Sequence, residues 1–447
     1  MLTVHQHWDP LKVCAVGRSY PPEFYSAIKN SKVRNVMERI AIETEEDYQK
    51  LISKLEEFNV TVLRTDISED PEVYMKDGVL SVPPPMCPRD YTAMVGNTFY
   101  MPGNNYGENF DMEMIISEMF EKIYKHKMGT SAIYSICKEI EDCFNPNNKL
   151  SPKESFIKLK SRMYRGKSKP HHHTDLNINL PEKSIRALKL TKLIDFKPMV
   201  DKIIASQTLT IGSNFKFPNN KRFYSFSSIQ KFLQNNNVPI VYDTYVNSAS
   251  MTRIGKDLFF SSMNMVNELN KDSFGKRWKK LFPEYNVHQV SVRGHSDGSF
   301  CPVVPNLIIS IKNIDIYKDT FPDWEVVYLP NESYSKLGEF MKLRKKNGGK
   351  WWVQGEEDNQ DLIDYIETWL NDWVTYVEES VFDVNMLVID KNNVICNGYN
   401  KKVFDAFERY NITPHVVNFR HRYFWDGGLH CITSDIAREG KQESYFA

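Results

Sequence analysis

Residues Phe382 to Gly398 read FDVNMLVIDKNNVICNG. The stretch opens on the mixed Phe382-Asp383-Val384-Asn385, runs apolar from Met386 to Ile389, breaks at Asp390-Lys391-Asn392-Asn393, and runs apolar again to Cys396. Two short apolar runs flanking an Asp/Asn turn predict a β-hairpin. Three more stretches share the plan: DYTAMVGNTFYMPG from Asp90, SASMTRIGKDLFFSS from Ser248 and GSFCPVVPNLIISI from Gly298. Their turns fall on Gly-Asn, Gly-Lys-Asp and Pro-Asn. WDPLKVCAVGR, from Trp8 to Arg18, resembles the first arm of another.

Between the hairpins, EEDYQKLISKLEEFNV, NFDMEMIISEMFEKIYKHKM and NKKVFDAFERYNI carry helical spacing. A hairpin, a helix and another strand, repeated at long irregular intervals, predict a closed or propeller-like α/β array. The rhythm fails over about 145–237, rich in Lys, Asn, Ser and His, which predicts insertions or loops within one domain spanning 1–447. The GGKWW neighbourhood at Gly348 is expected to be a further excursion.

Composition narrows the class. The 447 residues carry 57 Lys+Arg against 57 Asp+Glu, a formal net charge of zero, which speaks against a nucleic-acid or anionic-membrane binder. Hydrophobic residues at 41% suffice for a filled core. No apolar run approaches the roughly 18 residues of a membrane span, and MLTVHQHWDPLKV lacks the plan of a signal peptide, so a cytoplasmic location is expected. The seven cysteines are scattered, odd in number and free of any C-x-x-C pair. That argues against a disulfide framework or zinc site and leaves thiols free to act as nucleophiles. His171, His172 and His173 lack accompanying carboxylates or cysteines and are better read as an exposed loop; no metal and no cofactor is expected.

Three polar clusters lie at strand edges: CPRD ending at Asp90, RGHSDGSF from Arg293, and GGLHC ending at Cys431. His295 and Asp297 are two apart, which on an extended strand would put base and carboxylate on one face. By spacing alone, a histidine satisfied in a turn and a cysteine serving as a small buried hydrophobe rank ahead of catalysis. Cys301, six residues after His295, is a rival thiol disfavoured because it begins the apolar CPVVP run.

Taken in order, WDPLKVCAVGR, PRDYTAMVGN, TRIGKD, HSDGSF, NMLVIDKNNVI and GGLHCITSDIAREG resemble the arginine amidinotransferases, specifically the glycine amidinotransferase branch of the guanidino-group-modifying (pentein) superfamily. The resemblance covers most of the chain apart from the irregular middle and the GGKWW region. It implies a fivefold pseudosymmetric α/β propeller with insertions and a central active site. It further implies Cys431 as nucleophile, His295 as general acid/base, and Asp90 and Asp297 as carboxylates holding a guanidinium. The chemistry suits these types, because a guanidinium carbon is a poor electrophile that must be held flat while a soft thiolate attacks its face.

The chain departs from the family pattern at several places. Asn247 stands where the family has the aspartate that orients the histidine, and asparagine cannot stabilise imidazolium by charge. The family's donor-binding arginine would fall near Ile314, with Lys312 and Lys318 the nearest cations. Glu378 and Glu379 replace a serine pair, and Gly294 replaces a methionine beside His295. These changes imply a roomier, more acidic pocket and a larger or cationic amine as acceptor instead of glycine. The expected partners are therefore small molecules, L-arginine and an amine, with neither nucleic acid nor membrane; a homodimer is left open. A deiminase that passes the same intermediate to water, and a non-catalytic guanidinium binder, stay open beside the transferase.

Overall fold

The computed structural model describes residues 2–76, 79–80, 82–101, 226–242, 246–261, 278–279, 281–290, 292, 295–312, 320–329, 351–370, 373–374 and 381–446. The chain divides into two compact units, Met1–Gly103 with Lys221–Ala447, and Asn104–Asn220. All described residues belong to the first. The helix expected in NFDMEMIISEMFEKIYKHKM and the histidines 171–173 lie outside them.

The four predicted hairpins all form: β3 (Ala93–Val95) with β4 (Thr98–Met101), β6 (Met251–Ile254) with β7 (Asp257–Ser261), β9 (Phe300–Val304) with β10 (Leu307–Ser310), and β12 (Leu387–Asp390) with β13 (Asn393–Cys396). Each second arm then takes a parallel partner from further along the chain: β5 (Ile240–Tyr242), β8 (Asn286–Val290), β11 (Glu325–Tyr328) and β14 (Thr413–Val416). Parallel pairing needs a long crossover, which accounts for the irregular intervals between hairpins.

A fifth sheet follows the same plan by a different route. The strand in WDPLKVCAVGR, β1 (Leu11–Val16), was expected as a first arm; it is the middle strand. It pairs in parallel with β2 (Thr61–Arg64) and antiparallel with β15 (Thr433–Arg438). The first arm of this module thus comes from more than 400 residues later in sequence. Local sequence encodes a strand but not its partner, so pattern alone could not assign the arm.

Helices cover the sheets. α1 (Ser31–Glu57) starts at Asn30, whose side chain accepts from the Lys32 amide. It buries Val33, Val36, Ile40, Thr44, Tyr48, Leu51 and Leu55, a spacing of three and four that makes one buried stripe, with Met37 beside it. Each such Leu or Ile contributes about 1.5–3 kcal/mol relative to exposure. α2 (Ser227–Asn235) is a helix within the 145–237 stretch expected as insertions or loops, of which 145–225 lie outside the described residues. α3 (Gln360–Trp369) follows Trp351 and Val353, both buried in the α1 core; of the GGKWW stretch expected as an excursion, Trp351 and Trp352 are buried, and 348–350 lie outside the described residues. α4 (Lys401–Arg409), capped by Asn400, confirms the NKKVFDAFERYNI reading.

Candidate active site

Each module presents a short segment just before its first arm, and the polar residues singled out above occupy these segments. Asp90 ends a 3-10 turn before β3, Asn247 precedes β6, His295 and Asp297 precede β9, and Cys431 precedes β15. The corresponding residue before β12 is Asn385, which sequence reasoning passed over although the same rule would have found it.

Hydrogen bonds join these segments in a circuit. Ser248 N donates to Thr92 O (3.0 Å) and Ala249 N to Arg89 O (3.3 Å). Ala249 O in turn accepts from Ser296 N (2.7 Å) and Asp297 N (3.3 Å). Asn385 Nδ2 donates to Asp297 O (3.2 Å), and its Oδ1 accepts from His430 N (3.0 Å) and Cys431 N (3.1 Å). Arg89 Nε closes the circuit on His430 O (2.7 Å) and Thr433 O (2.9 Å).

The expected extended geometry around His295 does not hold. Ser296–Gly298 is a 3-10 turn and His295 caps it, so strand alternation does not govern where His295 and Asp297 point. The double acceptance by Ala249 O bends the chain there.

Beneath the site lies a buried ion cluster. Asp435 of β15, wholly buried, meets Arg89 (2.9 Å), Arg253 (2.7 Å) and Arg438 (3.0 Å). Burial alone would push the Asp435 carboxyl up, but the three guanidinium groups hold it well below the usual carboxylate range. Because Arg89 also grips the carbonyls on both sides of Cys431, this cluster fixes the thiol segment relative to the neighbouring Asp90.

Cys431 is 9% exposed. Its Sγ lies 3.6 Å from Asp297 Oδ2 and receives Asn385 Nδ2 at 2.9 Å. Burial, then the charges of Asp297 and Asp90, push the thiol well up, while the Asn385 bond works the other way. Gly427 and Gly428 allow this crowding. A Cβ on Gly428 would stand 2.6 Å from Asn385 Oδ1, and one on Gly427 would stand 3.1 Å from Cys87 Sγ.

His430, which sequence reasoning left without a role, places Nδ1 2.9 Å from Asp297 Oδ2. Burial and then Arg89 lower its pKa to about 4, so near neutrality it is an uncharged ring donating Nδ1–H to the carboxylate. Asp297 is held below the usual range despite burial, by that bond and by the charges around it. Asp90 is different: burial raises its carboxyl to about 6. His295 Nδ1 lies 3.6 Å from Asp90 Oδ1. Burial disfavours the imidazolium, but Asp90, Asp297 and Asp426 outweigh it and the pKa of His295 is raised. Its counter-charge is thus Asp90; the Asn247 side chain accepts from Ser250 N (2.8 Å).

The structure therefore brings Asp90, His295, Asp297 and Cys431 together, with Asn247 in the adjoining segment. Gly294, Ile314, Lys318, Glu378 and Glu379 lie outside the described residues, whereas Lys312 follows β10. Cys301 lies in β9 and lines a small internal cavity with Asp297 and His430; burial raises its thiol to about 12. Among the described residues no group of His, Cys, Asp and Glu is arranged to hold a metal, and no helix is long and apolar enough to cross a membrane.

The site defined by this geometry is a buried thiol set among carboxylates and imidazoles in a mixed α/β fold. By sequence the chain is related to amidinotransferases. It is 23% identical over 212 residues to the L-arginine:L-lysine amidinotransferase of Pseudomonas savastanoi pv. phaseolicola, covering 46% of this chain and 48% of that protein. It is 25% identical over 212 residues to mitochondrial glycine amidinotransferase of Xenopus laevis, covering 46% and 41%. The chain thus spans about half the length, or less, of the curated relatives it matches. Among solved structures it aligns with an amidinotransferase of the saxitoxin biosynthetic pathway from Microseira wollei at a TM-score of 0.48 and 15% identity, over 100% of this chain and 99% of that one. No protein-family model matches the sequence.

Proposed function

We propose that this chain is an amidinotransferase that moves the amidino group of L-arginine through an intermediate on Cys431 to an amine, releasing ornithine. One observation carries the reading. Asp90 Oδ1 and Asp297 Oδ1 are buried and, among the described residues, accept no hydrogen bond, while Asp297 Oδ2 stands 3.6 Å from the thiol. Buried carboxylate oxygens that accept no hydrogen bond are costly, and a guanidinium brings a planar fork of donors to satisfy them. The hydrogen-bond circuit through five module-entry segments supports a ring of five modules around this point, the propeller arrangement.

The chemistry follows from the charges. The two carboxylates that hold the Cys431 thiol up are offset once the cation is bound, which favours the thiolate. Sulfur then attacks the guanidinium carbon and the C–N bond to the ornithine nitrogen breaks as His295 gives that nitrogen its proton. An amine entering next is deprotonated by His295, bonds the same carbon and expels the thiolate. His430 keeps Asp297 ionised throughout. A site so rich in carboxylate, with Asp426 acting on His295 as well, suits a cationic amine better than glycine.

The test is incubation with labelled arginine, without and with amines, followed by mass spectrometry. Ornithine with an amidino adduct on the Cys431 peptide supports the proposal. Citrulline would mean that water is the acceptor, and neither product would leave a guanidinium binder. An adduct on Cys301 would overturn the choice of nucleophile.

A further inference from the structure

We propose that Asn385 is a positioning residue for Cys431, holding the sulfur in place and stabilising its thiolate. The inference rests on the reading of Cys431 as nucleophile and adds a residue to it. All four hydrogen-bonding positions of the Asn385 amide are used at the site. Oδ1 accepts the main-chain N–H of His430 and of Cys431, and Nδ2 donates to Cys431 Sγ and to Asp297 O. The two N–H donors settle which end of the amide is oxygen. One side chain therefore sets the thiol both against its own backbone and against the turn that carries Asp297. That turn aims the carboxylate, so Asn385 fixes the distance between attacking sulfur and bound cation, where small misplacements are expensive.

Two further features separate this from ordinary packing. Asn385 is 1% exposed, and the groups that most raise the thiol are burial and carboxylates, so the N–H aimed at Sγ is a favourable contact for negative sulfur. Gly428 is also shaped to it, since any Cβ there would meet Oδ1 at 2.6 Å and the Asn385 Cβ and Cγ at 3.0 Å. The glycine is what lets the amide reach the sulfur. Asparagine suits the place better than aspartate, which would accept the same two N–H groups but set an anion against the thiolate.

The test measures iodoacetamide alkylation of Cys431 in the full-length chain, by peptide mass spectrometry, as a function of pH. A hydrogen bond to a charged group is lost in Asn385→Ala, so alkylation near neutral pH should slow about tenfold or more and its midpoint should rise. Asn385→Asp should slow it further. Gly428→Ala leaves the amide in the sequence but displaces it, and should shift the profile the same way; it decides the matter should Asn385→Ala fail to fold. Folded variants with the wild-type profile, or with a lower midpoint, would overturn the proposal. Arginine turnover is scored separately. A shifted profile in a protein that releases no ornithine would uphold Asn385 and refute the transferase, whereas unshifted variants of an active transferase would refute Asn385 alone.

Discussion

Replacing Asp90 by asparagine should lower the pKa of His295 by about one unit. The two groups face each other at 3.6 Å, with side chains 27% and 37% exposed. Coulomb's law at that distance, with an effective dielectric of about 40 to 80 for a part-exposed pair, gives about 1 to 2 kcal/mol, or about one pKa unit. The assay is an NMR pH titration of the labelled His295 ring in wild type and variant. Because the pair titrates together, the wild type should show coupled steps and the variant a single one. The same change has a signed effect on stability. The folded pKa of Asp90, about 6, lies above its ordinary 3.8. The stability it contributes is therefore present below about pH 4 and lost as pH rises through 6. Asp90→Asn should match wild type near pH 3 and exceed it by up to about 3 kcal/mol at pH 8, while losing affinity for any guanidinium. An unchanged His295 titration, with the fold intact, would show that the counter-charge argument is wrong.

Three other outcomes follow from the same geometry. Asp435→Ala would leave three buried arginines facing one another and should cost about 3–5 kcal/mol in denaturant unfolding; a loss below about 1 kcal/mol would mean that the cluster relaxes freely. Asn247→Asp keeps the acceptor for Ser250 N and adds a charge beside the site, so it should raise activity or widen its pH range; a fall in activity with the fold intact would assign asparagine a role of its own. In a competition of glycine, lysine, putrescine and amino sugars at equal concentration with labelled arginine, the cationic amines should lead by about tenfold or more, as for a charge-assisted contact. Glycine as the fastest acceptor would mean that Glu378, Glu379 and Asp426 do not meet the acceptor.

What was legible in the sequence is what a few neighbouring residues encode. The four hairpins follow from short apolar runs around Gly, Asn and Asp turns, and α4 from its Asn400 cap and apolar spacing, because these depend on backbone preference within one turn or strand. Cys431, His295, Asp90 and Asp297 could be singled out as candidates through the family resemblance of the short motifs that hold them, not through their spacing. What lay beyond local reach was decided by pairing across the chain. β1 looked like a first arm until β15 claimed that place. Asn385 and His430 looked incidental, yet the first holds a sulfur 46 residues away and the second a carboxylate 133 residues away. Arg89 and Asp435, 346 residues apart, form the buried ion pair that fixes the thiol segment. His295 was expected to depend on position 247, but Asp90 faces it, because charges interact through the distance between them in space and not through their separation in sequence.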